Sequence, residues 1–358
     1  MSRVVTKGFP YGVVYTNPMR IEIPTPDDLH VHLRQDWMLE HTVEQSALHF
    51  GRALVMPNLT PPVKTGADVE KYRSDILAWR RFSKKPFEPL MTIKLMPDTT
   101  PEIIKEAFTA GAVAGKLYPE GVTTNSEDGI SFQGIYEMNA VFKAMEDVGM
   151  VLSLHGEKPG AFCMDREEAF LNTLGTIAHA FPKLRIVMEH ITHQNTVKTV
   201  KALPTNVAAT ITVHHLVLSL DDVIGGSLQP HNFCKPIAKS PEDREVLRDA
   251  AISGNPKFFL GTDSAPHLKE KKESASGCSG VYTAPIAMPI LAHIFEEMEA
   301  LDKLANFTSK FGADFYGLPA PKGTLVLEKG EPWEIPKSYH DVVPLWAGRS
   351  IEWRAERL

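Results

Sequence analysis

Short apolar runs recur along this chain, and each is followed by a stretch in which apolar residues return every three or four positions. The runs have the length and β-branched content of strands buried on both faces, and the longer stretches have the period of amphipathic helices. Strand-like runs fall at 19–23 continuing into 29–33, then at 52–56, 90–95, 112–117, 150–154, 185–189, 207–213 and 257–260. Helical patterns cover 68–81, 100–110, 135–148, 166–180, 195–202 and 241–252. Pro101 and Pro241 stand at helix starts, where a missing N–H costs nothing. Eight strands with interleaved helices predict an α/β protein built as a single closed (β/α)8 TIM barrel. No Gly-x-Gly-x-x-Gly follows the first strand, which disfavours an open dinucleotide-binding sheet.

The chain is read as one barrel domain over 1–358, with 319–358 as a short C-terminal extension. Before the extension, 291–298 and 301–315 read as helices, the second stopped by Gly317 and Pro319. Within it, 324–327 and 332–335 read as a small hairpin turning at Glu328-Lys329-Gly330-Glu331. Trp346 and Trp353 are expected to pack the extension back onto the barrel.

Composition narrows the function classes. A chain of 358 residues with 43% hydrophobic and 23% charged residues can bury a large core. Its net charge of −6 argues against a general nucleic-acid partner. No apolar run is long enough to span a membrane, and residues 1–10 lack the apolar core of a signal peptide. Cys163, Cys234 and Cys278 are far apart, with neither disulfide-framework nor thiolate-zinc spacing, which fits a reducing cytoplasm.

The candidate chemistry lies at strand ends. His30, His32 and Arg34 alternate along one extended run, so the imidazoles project side by side with the guanidinium beyond. Met56-Pro57-Asn58 closes the second barrel strand and Lys116 the fourth. His155 and Glu157 follow the fifth, Glu189 and His190 end the sixth, and Asp263 to His267 follow the eighth. A barrel gathers its C-terminal strand ends on one face, where active sites of this fold lie. Four imidazoles and the Asp263 carboxylate suit a pair of zinc-like ions, and Arg34 suits an anionic substrate. Lys116 among cations must be neutral or modified; a Schiff-base nucleophile and a structural lysine remain open on the residues alone.

The ordered set His30-x-His32, Lys116, His155, His190 and Asp263 resembles the amidohydrolase superfamily. Asp28-Leu29-His30-Val31-His32-Leu33-Arg34, Met56-Pro57-Asn58-Leu59, Gly115-Lys116-Leu117-Tyr118-Pro119 and Gly261-Thr262-Asp263-Ser264-Ala265-Pro266-His267 are similar to the shorter, bacterial-type dihydroorotases within it. The likeness runs from about Pro24 to Gly317. It implies two zinc ions bridged by a carboxylated Lys116. His30, His32 and Asp263 would hold the first with the carbamate, and His155 and His190 the second. It further implies reversible cyclisation of N-carbamoyl-L-aspartate to L-dihydroorotate, a step of de novo pyrimidine (UMP) biosynthesis. A metal-bridging hydroxide is the implied nucleophile and Asp263 the general acid/base. His32, Arg34, Asn58, Thr123, Thr124, His155, Lys235, His267 and Ser279 would meet the substrate. Lys235 and Ser279 depart from the leucine and alanine usual there, which matters little where backbone groups bind. The loop 120–125, with its paired threonines, is similar to a mobile substrate-covering loop. The likeness also favours a homodimer.

Other histidines are expected to be structural. His214 and His215 follow strand seven but fall outside the implied metal set. His193 is a candidate neighbour of a ligand, and Glu157 and Glu189 are candidates to orient ligands. His41, His49, His179, His231, His293 and His340 are read as structural or exposed. Two rival readings are kept: a dihydropyrimidinase- or hydantoinase-like cyclic amidohydrolase, and a non-catalytic barrel serving as an assembly partner.

Overall fold

A computed structural model describes residues 19–80 and 85–358. The reading of residues 1–10, and the last position of the helix expected over 68–81, lie outside the described residues.

Eight parallel strands follow one another around the barrel: β2 (Asp27–Val31), β3 (Arg52–Val55), β4 (Glu88–Lys94), β5 (Ala112–Leu117), β6 (Val151–Leu154), β7 (Ile186–Met188), β8 (Val207–Ile211) and β9 (Phe258–Leu260). The seam between first and last strands closes by main-chain bonds. Asp263 N donates to His30 O at 2.8 Å and His32 N to Ser264 O at 3.1 Å. The buried Asp28 carboxylate reinforces it, accepting from Thr262 N at 2.8 Å and Thr262 Oγ1 at 2.6 Å, 234 positions away.

Outer helices cover this sheet, among them Gly66–Arg80, Pro101–Thr109, Asn139–Val148, Leu171–Ala180, Gln194–Ala202 and Pro241–Ile252. Side chains cap three of these starts, at Thr100, His193 and Ser240. Ser240 and Asp243 form a reciprocal capping box on Pro241–Ile252. The helix expected over 135–148 begins as a 3-10 turn, Gly134–Glu137, and that over 166–180 as Glu168–Phe170. The helix expected over 301–315 is broken into a 3-10 turn, a π turn at Asn306–Lys310 and a short α-helix, Phe311–Tyr316. The helix Asp36–His49 was not signalled by periodicity, because Trp37 and Leu48 are apolar yet half exposed and blur the stripe.

Inside the barrel each strand supplies one residue to an apolar layer: Leu29, Leu54, Leu90, Ala114, Val151, Val187, Ala208 and Phe259, stoppered by Phe311 and Tyr316. Side chains two positions on share the same face. The next residues inward are therefore Thr92, Lys116, Ser153, Glu189 and Thr210, all fully buried. A polar layer thus stands on an apolar plug, facing the C-terminal mouth.

Two sequence expectations need correction. The run 19–33 is not one strand: β1 (Arg20–Pro24) leaves the barrel and pairs antiparallel with β10 (Thr324–Glu334). The expected 324–335 hairpin is also absent. Residues 324–334 form one irregular strand whose partner is β11 (Ser350–Arg357), with Leu325 opposite Arg357 and Trp333 opposite Ile351. Among the described residues, the first and last strands thereby share one three-stranded sheet. Trp353 is fully buried beneath it, as expected, and its indole N–H donates to Glu296 at 2.9 Å. Trp346 packs partly buried against the same core.

Candidate active site

The polar layer converges on a narrow cleft lined by His30, His32, Arg34, Asn58, Tyr118, Thr123, Thr124, His155, His190, Lys235, Asp263 and Ser279. His30 is the penultimate residue of β2 and His32 lies just past the strand, their ring centroids 5.4 Å apart, so the expected side-by-side projection is realised. Both Nε2 atoms point at one Asp263 oxygen, at 3.4 Å from His30 and 3.1 Å from His32. Asp263 holds a left-handed backbone, φ 45°. His190, also left-handed at φ 43°, packs 5.1 Å from His30 and 4.7 Å from His155, centroid to centroid.

Lys116 reaches the same place from β5. Its Nζ is wholly buried and has no hydrogen-bond partner, and Nδ1 of His190 is likewise orphaned. Such atoms are costly unless something else satisfies them. Burial, only partly offset by Glu189 and Asp263, lowers the Lys116 ammonium to about 8. Burial also lowers His32 to about 4 and pushes His155 and His190 down, so their lone pairs are free near neutrality. Burial alone would raise the Asp263 carboxyl, but His30 and His32 outweigh it and hold the group well below its usual range. Neutral imidazoles, a carboxylate and an unpartnered amine make a donor set that fits divalent metal.

The surrounding residues fix which nitrogens face inward. Glu189 accepts from His30 Nδ1 at 3.0 Å, from Thr210 Oγ1 at 2.6 Å and from the Ser153 hydroxyl. Glu157 lies 2.7 Å from His155 Nε2, which leaves Nδ1 toward the cleft. Both carboxylates therefore do orient the histidines expected as ligands. Glu167, which sequence reasoning passed over, accepts from the backbone N–H groups of Thr192 and His193 and so braces the turn after His190. His193 itself caps the following helix, accepting from Asn195 N at 3.1 Å. Tyr118 was also missed, although it lies two positions beyond Lys116 and hence on the same face.

Elsewhere in the cleft Arg34, at φ 62°, donates to Pro266 O at 3.1 Å and lies 3.0 Å from His267 Nε2. That nitrogen is also 3.0 Å from Ser279 O, and a neutral ring serves only one of the two at a time. Burial and the Arg34 charge push His267 down to about 2. Asn58 Nδ2 donates to Thr124 O at 3.2 Å, and Thr124 Oγ1 lies 3.1 Å from Ser279 Oγ. The threonine loop is thus folded over the cleft.

The histidines expected to be structural stay out of the cleft lining. His215 is held by Thr212 and by Pro236 O, and Cys234 donates to the same carbonyl. His214 and His215, with Cys234, form a second buried cluster of donors. His41 stacks on His340, while His231 and His293 pair with Glu273 and Glu297.

Among the described residues, no helix is long and apolar enough to cross a membrane. Residues 23–333 match the amidohydrolase family. A dihydroorotase of Teredinibacter turnerae is 46% identical over 340 residues, covering 93% of this chain and 97% of its own. The crystal structure of dihydroorotase from Saccharomyces cerevisiae in complex with 5-fluoroorotic acid superposes with TM-score 0.88 at 36% identity, over 94% of this chain and 98% of that one. The Campylobacter jejuni dihydroorotase structure gives 0.86 at 38%, over 94% and 97%. With likeness over this much of the chain and a donor-lined barrel mouth, the chain belongs to the metal-dependent amidohydrolase family and, within it, to the dihydroorotases.

Proposed function

We propose that this chain catalyses the reversible cyclisation of N-carbamoyl-L-aspartate to L-dihydroorotate in pyrimidine biosynthesis, with two zinc ions per subunit. The observation that carries the reading is the buried, unpartnered Lys116 amine among the strand-end imidazoles. Carboxylated by carbon dioxide, it would bridge two ions, with His30, His32 and Asp263 on one and His155 and His190 on the other. The zinc pair would supply a water of lowered pKa and a Lewis acid for the amide carbonyl.

The residues' own work follows from their placement. Arg34 binds the substrate carboxylate through two parallel N–H bonds, with Asn58 and His267 beside it. Backbone groups at Lys235 and Ser279 meet the ring amides, and Thr123 and Thr124 cover the face left open to solvent. Asp263 begins ring opening as a carboxylate. It takes one proton from the attacking water and returns it to the ring nitrogen as the carbon–nitrogen bond breaks. Ring closure runs the other way: Asp263 starts protonated and overall one proton is consumed, so acid favours closure.

The chain is further proposed to work as one barrel domain with 319–358 as its extension, as a homodimer, in the cytoplasm. Its three unpaired cysteines agree with that compartment. The test is interconversion of the two compounds by purified protein before and after chelation, with zinc returned. Loss on chelation and recovery with zinc is the expected result. Zinc-loaded, folded protein that turns over neither compound would remove the proposal. Sedimentation of the same sample reports whether two chains associate.

A further inference from the structure

Two lysines stand side by side on neighbouring barrel strands, and the chemistry above uses one. Lys94 ends β4 and pairs in register with Lys116 on β5. Their Nζ atoms lie 6.0 Å and 5.3 Å from the centroid of the Tyr118 ring. Lys94 is 1% exposed, a rare state for a lysine without a task. Unlike Lys116, it has partners. Its Nζ donates to Asn125 O at 2.8 Å and forms an ion pair with the Asp128 carboxylate.

Both partners belong to the loop that carries Thr123 and Thr124. That loop is internally braced by Ser126, whose hydroxyl donates to Thr123 O at 2.7 Å and accepts from Thr123 N at 2.9 Å. Gly121 N and Gly129 N both donate to Ser126 O, which ties the two ends of the loop together. These bonds make it a compact internally braced segment, joined to the rest of the molecule by its outward attachments. Asn125 Nδ2 donates to Asn58 O, Asn58 Nδ2 to Thr124 O, and Thr124 meets Ser279. These are neutral bonds at the rim. The charged attachment is Lys94, rising from the rigid barrel wall beneath.

We infer that Lys94 is a positioning residue of the reaction: its buried ammonium fastens the loop 120–130 over the cleft and sets where Thr123 and Thr124 meet the substrate. The catalytic consequence rests on the dihydroorotase reading; the fastening itself does not. The pairing also separates the two lysines chemically. Lys94 Nζ is taken up by a carboxylate and a carbonyl, whereas Lys116 Nζ has no such partner.

The test uses the zinc-loaded full chain and the variants Lys94→Met and Asp128→Asn. Methionine keeps the bulk of the stem and removes the charge. Backbone hydrogen exchange over 120–130 is expected to speed up by about tenfold or more in Lys94→Met, with the barrel strands unchanged. Metal content should match the parent while kcat/KM for both compounds falls about tenfold, as for a loop that must close. Asp128→Asn should shift exchange the same way but less, since Asn125 O keeps its donor. Parent-like exchange over 120–130 in Lys94→Met overturns the inference. Should that variant lose its fold or its metal, Asp128→Asn decides, because residue 128 is exposed and outside the barrel; parent-like exchange there overturns the inference equally. A parent protein without turnover defeats the dihydroorotase reading and leaves the exchange comparison standing.

Discussion

Glu189→Gln isolates the charge behind His30. In the parent, one carboxylate oxygen takes the His30 Nδ1–H and the Thr210 hydroxyl, and the other takes the Ser153 hydroxyl. Burial by itself would raise the Glu189 carboxyl, but His30 and Lys116 hold it below its ordinary value, so it is an anion in place. Glutamine can keep this geometry. Its carbonyl turns to His30 and Thr210, and its amide donates to Ser153 after that hydroxyl rotates. What is lost is the charge assistance, worth about 1.5 kcal/mol at the lower end for such bonds, or about tenfold in an equilibrium. Glu189→Ala strands three buried donors as well, so metal affinity should fall toward about a hundredfold. The assay is chelator competition for zinc, read beside thermal unfolding of the metal-free protein. Glutamine should weaken zinc about tenfold with little change in metal-free stability, and alanine should do more on both counts. Parent-like zinc affinity in both variants would refute the reasoning that Glu189 sets the His30 tautomer for a metal.

Lys116, lowered to about 8 in the metal-free protein, gives a pH signature. Carbon dioxide adds to the neutral amine, so reactivation of apo-protein at fixed dissolved carbon dioxide should rise about tenfold per pH unit below 8 and level above it. A flat profile between pH 6 and 8 would count against Lys116 as the site of addition. Arg34→Met removes the bidentate anion partner and should lower kcat/KM by about 10- to 100-fold, chiefly through KM, with zinc content intact; steady-state kinetics and metal analysis check both. Trp353→Ala empties a fully buried site beneath the terminal sheet and should cost about 3–5 kcal/mol in denaturant unfolding. A loss under 1 kcal/mol would mean that this sheet is not part of the cooperative core.

Much of this architecture was legible because a parallel barrel imposes two plain periodicities. Strands buried on both faces read as apolar runs, and His30, Lys116, His155, His190 and Asp263 stand out because each ends such a run. What sequence missed depended on pairing across long separations. Nothing local says that residues 20–24 leave the barrel to meet 324–328, or that 324–334 pairs with 350–357 instead of folding on itself. Helix 36–49 hid because Trp37 and Leu48 break its apolar stripe. Glu167 and Lys94 read as ordinary charged positions, and only their burial marks them. The Thr124–Ser279 contact joins a loop to a residue 155 positions on, which no spacing rule anticipates.

The seam has a consequence for the order in which the molecule comes into being. His30 and His32 leave the ribosome early, whereas Asp263 and its main-chain bond to His30 O arrive 233 residues later. Half a donor set therefore waits on a growing chain until β9 emerges and the circle shuts. Metal capture with all three of these groups can report only on finished barrels, so an ion bound in this way marks a chain as mature. Lengthening the wait, by slowing translation between β2 and β9, should expose the early imidazoles to scavenging by the wrong ion without altering any contact in the completed fold.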